Sequence, residues 1–412
     1  MEEKLIYRNC TVGIMAVFFV FFIYLLFSIS NGSLNIEQSA ILNKEASFVQ
    51  SENKSEKVNY ALHYEKVAYD DLIGFKNDNF AEAYPALLKS CDRILSSPKD
   101  RFVKKIYWEQ ACRAISGIKM VTDGTVRNVI TKYFEPFLVY DKNGKTEGLF
   151  TGYYSAGINA SYKKTEKYKY PVYKLPEDAL TLNAETFTDC SQCIYTVRVE
   201  NGRIVPYYTT AEIIKNNVIA DKDVLLWADN PVDVMLMHIQ GSGIAVLPDK
   251  KEVKINYAGN NGHNFVGIGW ILKSLELLEK GKGSMPDVKE WLEKNRSQAD
   301  ELMSRNPRYI FFKEAVNNEG PIGSLGVELT PERSLAVDNR YIKLGSFMWL
   351  VTKDADGNKI EKLVTAQDTG SAIKGEIRGD FYFGHGKKAF RQAGRMKSKG
   401  TYYLLLPKEK LL

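Results

Sequence analysis

Residues 366 to 386 read AQDTGSAIKGEIRGDFYFGHG, which places Asp368 and Asp380 in one glycine-punctuated stretch with His385, no cysteine and no second histidine. Carboxyl groups are the usual acids and bases of glycosidic-bond cleavage. Such a group donates a proton near neutrality only if its pKa rises from about 3.9, and burial in partly apolar surroundings raises it. Phe381, Tyr382 and Phe383 follow Asp380; these rings would disfavour its charged form and offer stacking faces to sugars. Asp368 stands in QDTG, a setting that favours an Asx-type turn, so it reads equally well as a turn-capping residue. Asp338, in AVDNR, carries the same structural alternative.

Other chemistries find less support. QGSG, residues 240 to 243, sets Ser242 between glycines, but a nucleophile elbow needs G-x-S-x-G between a strand and a helix, and one residue is missing on each side. The chain has four histidines; His238 and His263 are far apart and neither opens an H-E-x-x-H pair, so neither a metal nor a cofactor is expected. Basic residues exceed acidic ones by 56 − 50 = 6, and they are scattered, which gives no nucleic-acid signature.

These residues must be positioned by elements legible along the chain. Lys4 and Arg8 precede an uncharged apolar run at residues 11 to 29, long enough to cross a membrane. It reads as an uncleaved signal anchor over 1–31 with its basic flank in the cytoplasm, a cleaved signal peptide being the alternative. Residues 32–60 are polar and read as a linker. Export permits disulfides, so Cys91 and Cys112, and Cys190 and Cys193, are two candidate pairs, with free buried thiols as the alternative. From 77 to 140 apolar residues recur three and four apart and predict three helices. Residues 148 to 260 are strand-like and read as a β domain. Helices are expected in VGIGWILKSLELLEKG and in DVKEWLEKNRSQADELMSRN, the latter as one helix. The last hundred residues alternate strands such as SLAV, FMWLV, KLVTAQ and YYLLLP with turns and suggest a small closed barrel.

Taken in order, FTGYYSAGINASYKKTEKYKYPVYKLP, PVDVMLMHIQGSGIAVLP, NYAGNNGHNFVGIG, NPRYIFFKE, GPIGSLGVELTPERSLAVD and AQDTGSAIKG resemble the membrane-bound lytic murein transglycosylase A family, across about residues 75 to 410. The C-terminal part resembles that family's three-aspartate module, matched by Asp338, Asp368 and Asp380. The resemblance implies a mainly β chain with helices (α+β). Its double-psi β-barrel would comprise 61–155 plus 316–412, with an inserted second β domain at 156–315 and a glycan groove between them. It implies that Asp380 is the catalytic acid, supported by Asp368 and Asp338. Thr151, Gly152 and Tyr153 of TGYY, Gln240, Gly241 and Ser242 of QGSG, and Lys374 would bind substrate.

The activity implied is non-hydrolytic cleavage between N-acetylmuramic acid and N-acetylglucosamine, with no metal or other cofactor. The partners implied are peptidoglycan strands, the membrane through the N-terminal helix, and cell-wall synthesis proteins. The catalytic part would be periplasmic, anchored at the inner membrane because no lipoprotein-type cysteine follows the apolar run. A non-catalytic wall-binding scaffold and a hydrolytic glycosidase are the rival readings.

Overall fold

The computed structural model describes residues 62–96, 105–184, 194–315 and 320–409. The apolar run at 11–29, the polar stretch at 32–60 and the Cys190 and Cys193 pair lie outside them. Among the described residues no helix is long and apolar enough to cross a membrane.

A short strand, β1 (His63–Lys66), precedes helices α1 (Phe80–Ser96), α2 (Lys105–Ser116) and α3 (Asp123–Tyr133). Their apolar stripes, with Phe80, Leu87, Trp108 and Ile130, pack against Phe347, Trp349, Leu363 and Leu405. A disulfide joins Cys91 of α1 to Cys112 of α2, and both cysteines are buried in this core. The helical pattern expected through residue 140 ends at Tyr133, and Phe134–Tyr140 is instead a strand, β2. Pro136 lacks the N–H a continuing helix would need, and the segment pairs with β1 on one side.

Strand β3 (Gly148–Ser161) organises the rest. It is followed by β4 (Tyr170–Tyr173), β5 (Leu180–Asn183), β6 (Ile194–Glu200), β7 (Arg203–Pro206), α4 (Thr210–Asn216), β8 (Val224–Ala228), α5 (Pro231–Gln240), β9 (Gly243–Val246) and β10 (Glu252–Asn260). Next come α6 (Ile268–Ser274), α7 (Met285–Lys294), α8 (Arg296–Ser304) and β11 (Ile310–Glu314). The chain then runs through β12 (Ser334–Val337), β13 (Phe347–Lys353), β14 (Lys359–Asp368), β15 (Arg378–His385), α9 (Gly386–Arg395) and β16 (Lys397–Pro407). The result is mixed α and β, with most elements in sheet.

Six strands close into a ring in the order β16, β13, β14, β12, β15, β3 and back to β16. Strand β16 achieves this by length: Lys397–Gly400 pairs with β3, Thr401–Leu405 with β13, and its last five residues with β2. Phe150, Leu335, Val337, Met348, Val364, Phe381 and Tyr402 share the core of this ring. The second half of β3 leaves the ring, runs parallel to β9 and continues the sheet through β10 and β11. There Ile158, Leu226, Met237, Ala245, Ile255 and Phe312 make a separate core.

Several helices depart from the sequence expectation. The region read as a β domain contains α4 and α5, whose signals are nonetheless present: Thr209 caps α4 by accepting from the Glu212 amide, and for α5 Asn230 accepts from the Val232 amide, Pro231 is the first helical residue and Gly241 ends the helix at φ +76°. The single helix expected after Pro286 is two, α7 and α8, broken at Asn295. Helix α9 stands among strands where none was expected, its Ala389 and Ala393 buried against the second core.

Candidate active site

Four neighbouring strands align a row of side chains. Ala336 of β12 pairs with Asp368 of β14 on one side and with Asp380 of β15 on the other, and Asp380 pairs with Thr151 of β3. Directly opposed residues point to the same face of a sheet, so two carboxyl groups and a hydroxyl share one surface. The alignment depends on a bulge. Leu335 pairs with Ala366 but Ala336 pairs with Asp368, so Gln367 is an extra residue on β14. A bulge re-aims the side chain beside it. The Gln367 amide is buried; it donates to the Ala86 carbonyl at 2.9 Å and to Ser90 Oγ at 2.9 Å, and accepts from Ser334 Oγ at 2.6 Å. Helix α1 thereby clamps the bulge.

Asp380 is half-buried, and Thr151 Oγ1 donates to its Oδ1 at 2.5 Å. Arg378 Nη2 in turn donates to Thr151 Oγ1 at 2.8 Å. Burial pushes the Asp380 pKa up to about 6; the Thr151 hydrogen bond and the Arg378 charge oppose the rise, and the Asp368 charge adds to it. Burial raises Asp368 too, although its Oδ1 accepts from the Ser324 amide, the Ser324 hydroxyl and the Thr369 amide, each at 2.9 Å. The Thr369 contact is local to the turn, whereas Ser324 fastens Asp368 to a loop 44 residues away. Two residues after Thr151 on β3, Tyr153 packs its ring 5.1 Å from that of Tyr382. Its hydroxyl is buried without a hydrogen bond of ordinary geometry, and burial together with the fields of Asp368 and Asp380 keeps the phenol protonated.

The remaining residues singled out from the sequence divide into two groups. Gln240, Gly241 and Ser242 come to the strand that carries TGYY: Gln240 Oε1 accepts from the Tyr154 amide at 3.0 Å, and Ser242 Oγ lies 3.3 Å from Ser155 Oγ, itself 2.9 Å from Tyr382 Oη. Ser242 thus has a serine, not a histidine, as its partner. Gly152 is needed for packing, because a Cβ there would lie 2.5 Å from the Phe383 ring and 2.9 Å from the Ala393 backbone of α9. Asp338 does not join the row. It is buried just beyond β12, bonded to Arg340 Nε at 2.8 Å, to Arg340 Nη2 at 2.5 Å and to the Gly375 amide at 2.8 Å. Burial opposes its charge, but the Arg340 side chain and the Gly375 and Arg340 amides outweigh that and hold its carboxyl below the ordinary range. Lys374 is exposed on the segment between β14 and β15.

His238 offers no acid or base near neutrality, since burial depresses it to about 3 and its Nδ1 accepts from the Ile310 amide at 3.2 Å. Among the described residues no group of three or more His, Cys, Asp or Glu side chains converges as a metal site would require. Arg378, Ser324 and Gln367 were missed in the sequence. Arg378 had a readable signal, because residues two apart on a strand share a face.

Comparison with known proteins shows the family of the chain. Residues 149–313 match the MltA specific insert domain and residues 333–406 match the 3D domain. A solved lytic transglycosylase, LtgG of Burkholderia pseudomallei, is 32% identical, with a TM-score of 0.58 over 84% of this chain and 96% of that one. The chain belongs to the MltA family. MltA of Neisseria gonorrhoeae superposes with a TM-score of 0.72 at 28% identity, covering 84% of this chain and 93% of that one. The membrane-bound lytic murein transglycosylase A of Vibrio cholerae is 30% identical over 274 residues, which are 64% of this chain and 66% of that protein. The match therefore spans just under two thirds of that curated MltA relative. Within the MltA frame the row is composite: Thr151, Tyr153, Gln240 and Ser242 fall in the first matched region, and Asp368 and Asp380 in the second.

Proposed function

We propose that the chain is a peptidoglycan lytic transglycosylase that cleaves the β-1,4 bond between N-acetylmuramic acid and N-acetylglucosamine and leaves 1,6-anhydro-muramic ends. The observation that supports it most is Asp380, a half-buried carboxyl raised to about 6 with a donor on only one of its oxygens among the described residues. Protonated Asp380 gives its proton to the glycosidic oxygen as the bond to the muramic C1 breaks, and positive charge develops at C1. The carboxylate then takes the proton of the muramic C6 hydroxyl while that oxygen attacks C1. Both steps balance on one carboxyl, and an intramolecular nucleophile has a high effective concentration, so neither water nor a second catalytic carboxylate is required. Burial favours the protonated form of Asp380, and the Asp368 charge on the same face adds to that.

In this reading the six-stranded ring is a double-psi β-barrel formed by 61–155 plus 316–412, and residues 156–315 form the inserted domain that walls the other side of a glycan groove. Thr151, Gly152, Tyr153, Gln240, Gly241, Ser242 and Lys374 line that groove, and Asp338 supports the segment between β14 and β15. The N-terminal apolar run anchors the chain, with the catalytic part in the periplasm; the relatives' printed name, membrane-bound, is in keeping with this.

The test is mass spectrometry of muropeptides released from purified murein by the full chain in detergent, beside Asp380→Asn. Products one water lighter than hydrolytic fragments, absent with the variant, are expected. Full-mass reducing products would instead identify a hydrolase, and binding without release a scaffold.

A further inference from the structure

We propose that Arg378 and Thr151 form a one-way hydrogen-bond relay that decides which oxygen of Asp380 carries the catalytic proton and stabilises the carboxylate once that proton has left. The proposal deepens the reading above and rests on Asp380 being its acid.

The argument is one of hydrogen-bond polarity. A guanidinium can only donate, whereas a hydroxyl has a single proton and lone pairs. Arg378 Nη2 lies 2.8 Å from Thr151 Oγ1, so Thr151 must accept there. Its own proton is then free to point at Asp380 Oδ1, 2.5 Å away. In a neutral carboxylic acid the carbonyl oxygen is the better acceptor, so Oδ1 is the carbonyl oxygen and Oδ2 bears the proton. Among the described residues nothing bonds to Oδ2, which leaves that proton for a glycosidic oxygen. When it departs, the Thr151 bond becomes charge-assisted and strengthens.

Backbone geometry holds the relay in place. Arg378 and Asp380 are two apart on β15 and share a face, and Thr151 is the register partner of Asp380 on β3. The other arm of the guanidinium, Nη1, donates to the Gly379 carbonyl and to the Leu149 carbonyl, the latter at 3.3 Å, so one fork spans both strands. Arg378 makes no direct ion pair with Asp380 among the described residues. A direct pair would keep the acid ionised; passing the charge through a hydroxyl lets a cation sit near a general acid without emptying it. The other groups around Asp380 are Asp368 on β14 and Tyr153 on β3, while Lys397 of β16, opposite Thr151, and the lysines and arginines of α9 are exposed.

The test follows the titration of Asp380 itself. The full chain, labelled with ¹³C at the aspartate carboxyl carbons, is titrated in detergent by NMR, with Asp380→Asn assigning the signal. Thr151→Val, Arg378→Met, the double variant and Thr151→Ser are compared, each checked for native circular dichroism. Either single change should raise the Asp380 midpoint by about one unit, and the double variant should add little to the larger single effect. Thr151→Ser should restore the wild-type midpoint, and the alkaline limb of kcat/KM should move with it. An unmoved or lowered midpoint, or two shifts that add independently, would overturn the relay. The NMR midpoints are read without turnover, so a wild-type chain that releases no anhydro product would defeat the proposed activity while leaving the relay to stand on its titration.

Discussion

Asp380 is suited to proton transfer because its site is a poor place for negative charge. Its ordinary value is 3.8 and its folded value about 6, so the folded chain binds that proton more tightly than the unfolded chain does. The resulting stabilisation is complete below pH 3.8 and is lost as pH rises through 6, a difference of up to about 3 kcal/mol. Asp380→Asn removes the charge and keeps the acceptor for Thr151. It should therefore abolish release of anhydro products and unfold at higher urea than wild type at pH 7.5, with little difference at pH 3.5. A variant less stable than wild type at pH 7.5 would show that burial does not set the shift. The same direction governs turnover: an acid must be protonated, so kcat/KM should fall as pH rises through about 6, and a profile flat from pH 5 to 8 would assign the proton to another group.

At the scale of elements, the row of side chains is held by contacts that run back to the first helix. Arg333, just before β12, is 2% exposed and forks onto Asp78 at 2.7 and 2.8 Å, and Asp78 also accepts from the Leu363 amide of β14 at 2.9 Å. Removing Asp78 leaves the buried Arg333 with Glu82 as its remaining carboxylate, 2.8 Å from Nη2 and largely exposed, and should cost about 3 kcal/mol. Asp78→Ala should lower the urea midpoint accordingly, whereas a loss under 1 kcal/mol would mean that Glu82 alone satisfies the guanidinium. Gln367→Leu acts on the bulge itself. It removes the acceptor of the Ser334 hydroxyl and the donor to Ser90 Oγ and to the Ala86 carbonyl, and should cost about 2–3 kcal/mol. Because Asp368 then loses its aim, the murein-releasing activity should fall more steeply than the fraction folded, measured on the same sample.

At the scale of the molecule, the proposed catalytic row lies where the ring of strands and the second sheet share β3, while the Cys91–Cys112 bond lies in the helical core. That bond closes a loop of 21 residues, and confining such a loop in the unfolded chain is worth about 3 kcal/mol. Reduction, or Cys91→Ala with Cys112→Ala, should lower the unfolding free energy by that amount. Rates on murein at 25 °C should stay within about twofold, since the disulfide touches none of the residues around Asp380. A larger loss of rate would reveal coupling from the helical core to the site.

Local chemistry was sufficient for several features. SLAV, FMWLV, KLVTAQ and YYLLLP all lie within strands, the aromatic run after Asp380 announced an apolar setting, and the cysteines of α1 and α2 were legible as a pair. Each of these depends on periodicity or on immediate neighbours. Helix α9 and the break at Asn295 were less legible, because short amphipathic segments take their state from what they pack on. The site required tertiary structure. Thr151 and Asp380 are 229 residues apart and Ser324 and Asp368 are 44 apart, and one extra residue in β14 decides which side chain faces Ala336. Residue types in the sequence determined that carboxyl chemistry was available. Strand register and burial decided which carboxyl holds a proton near neutrality, because its pKa is set by groups that only the folded chain brings within hydrogen-bonding distance.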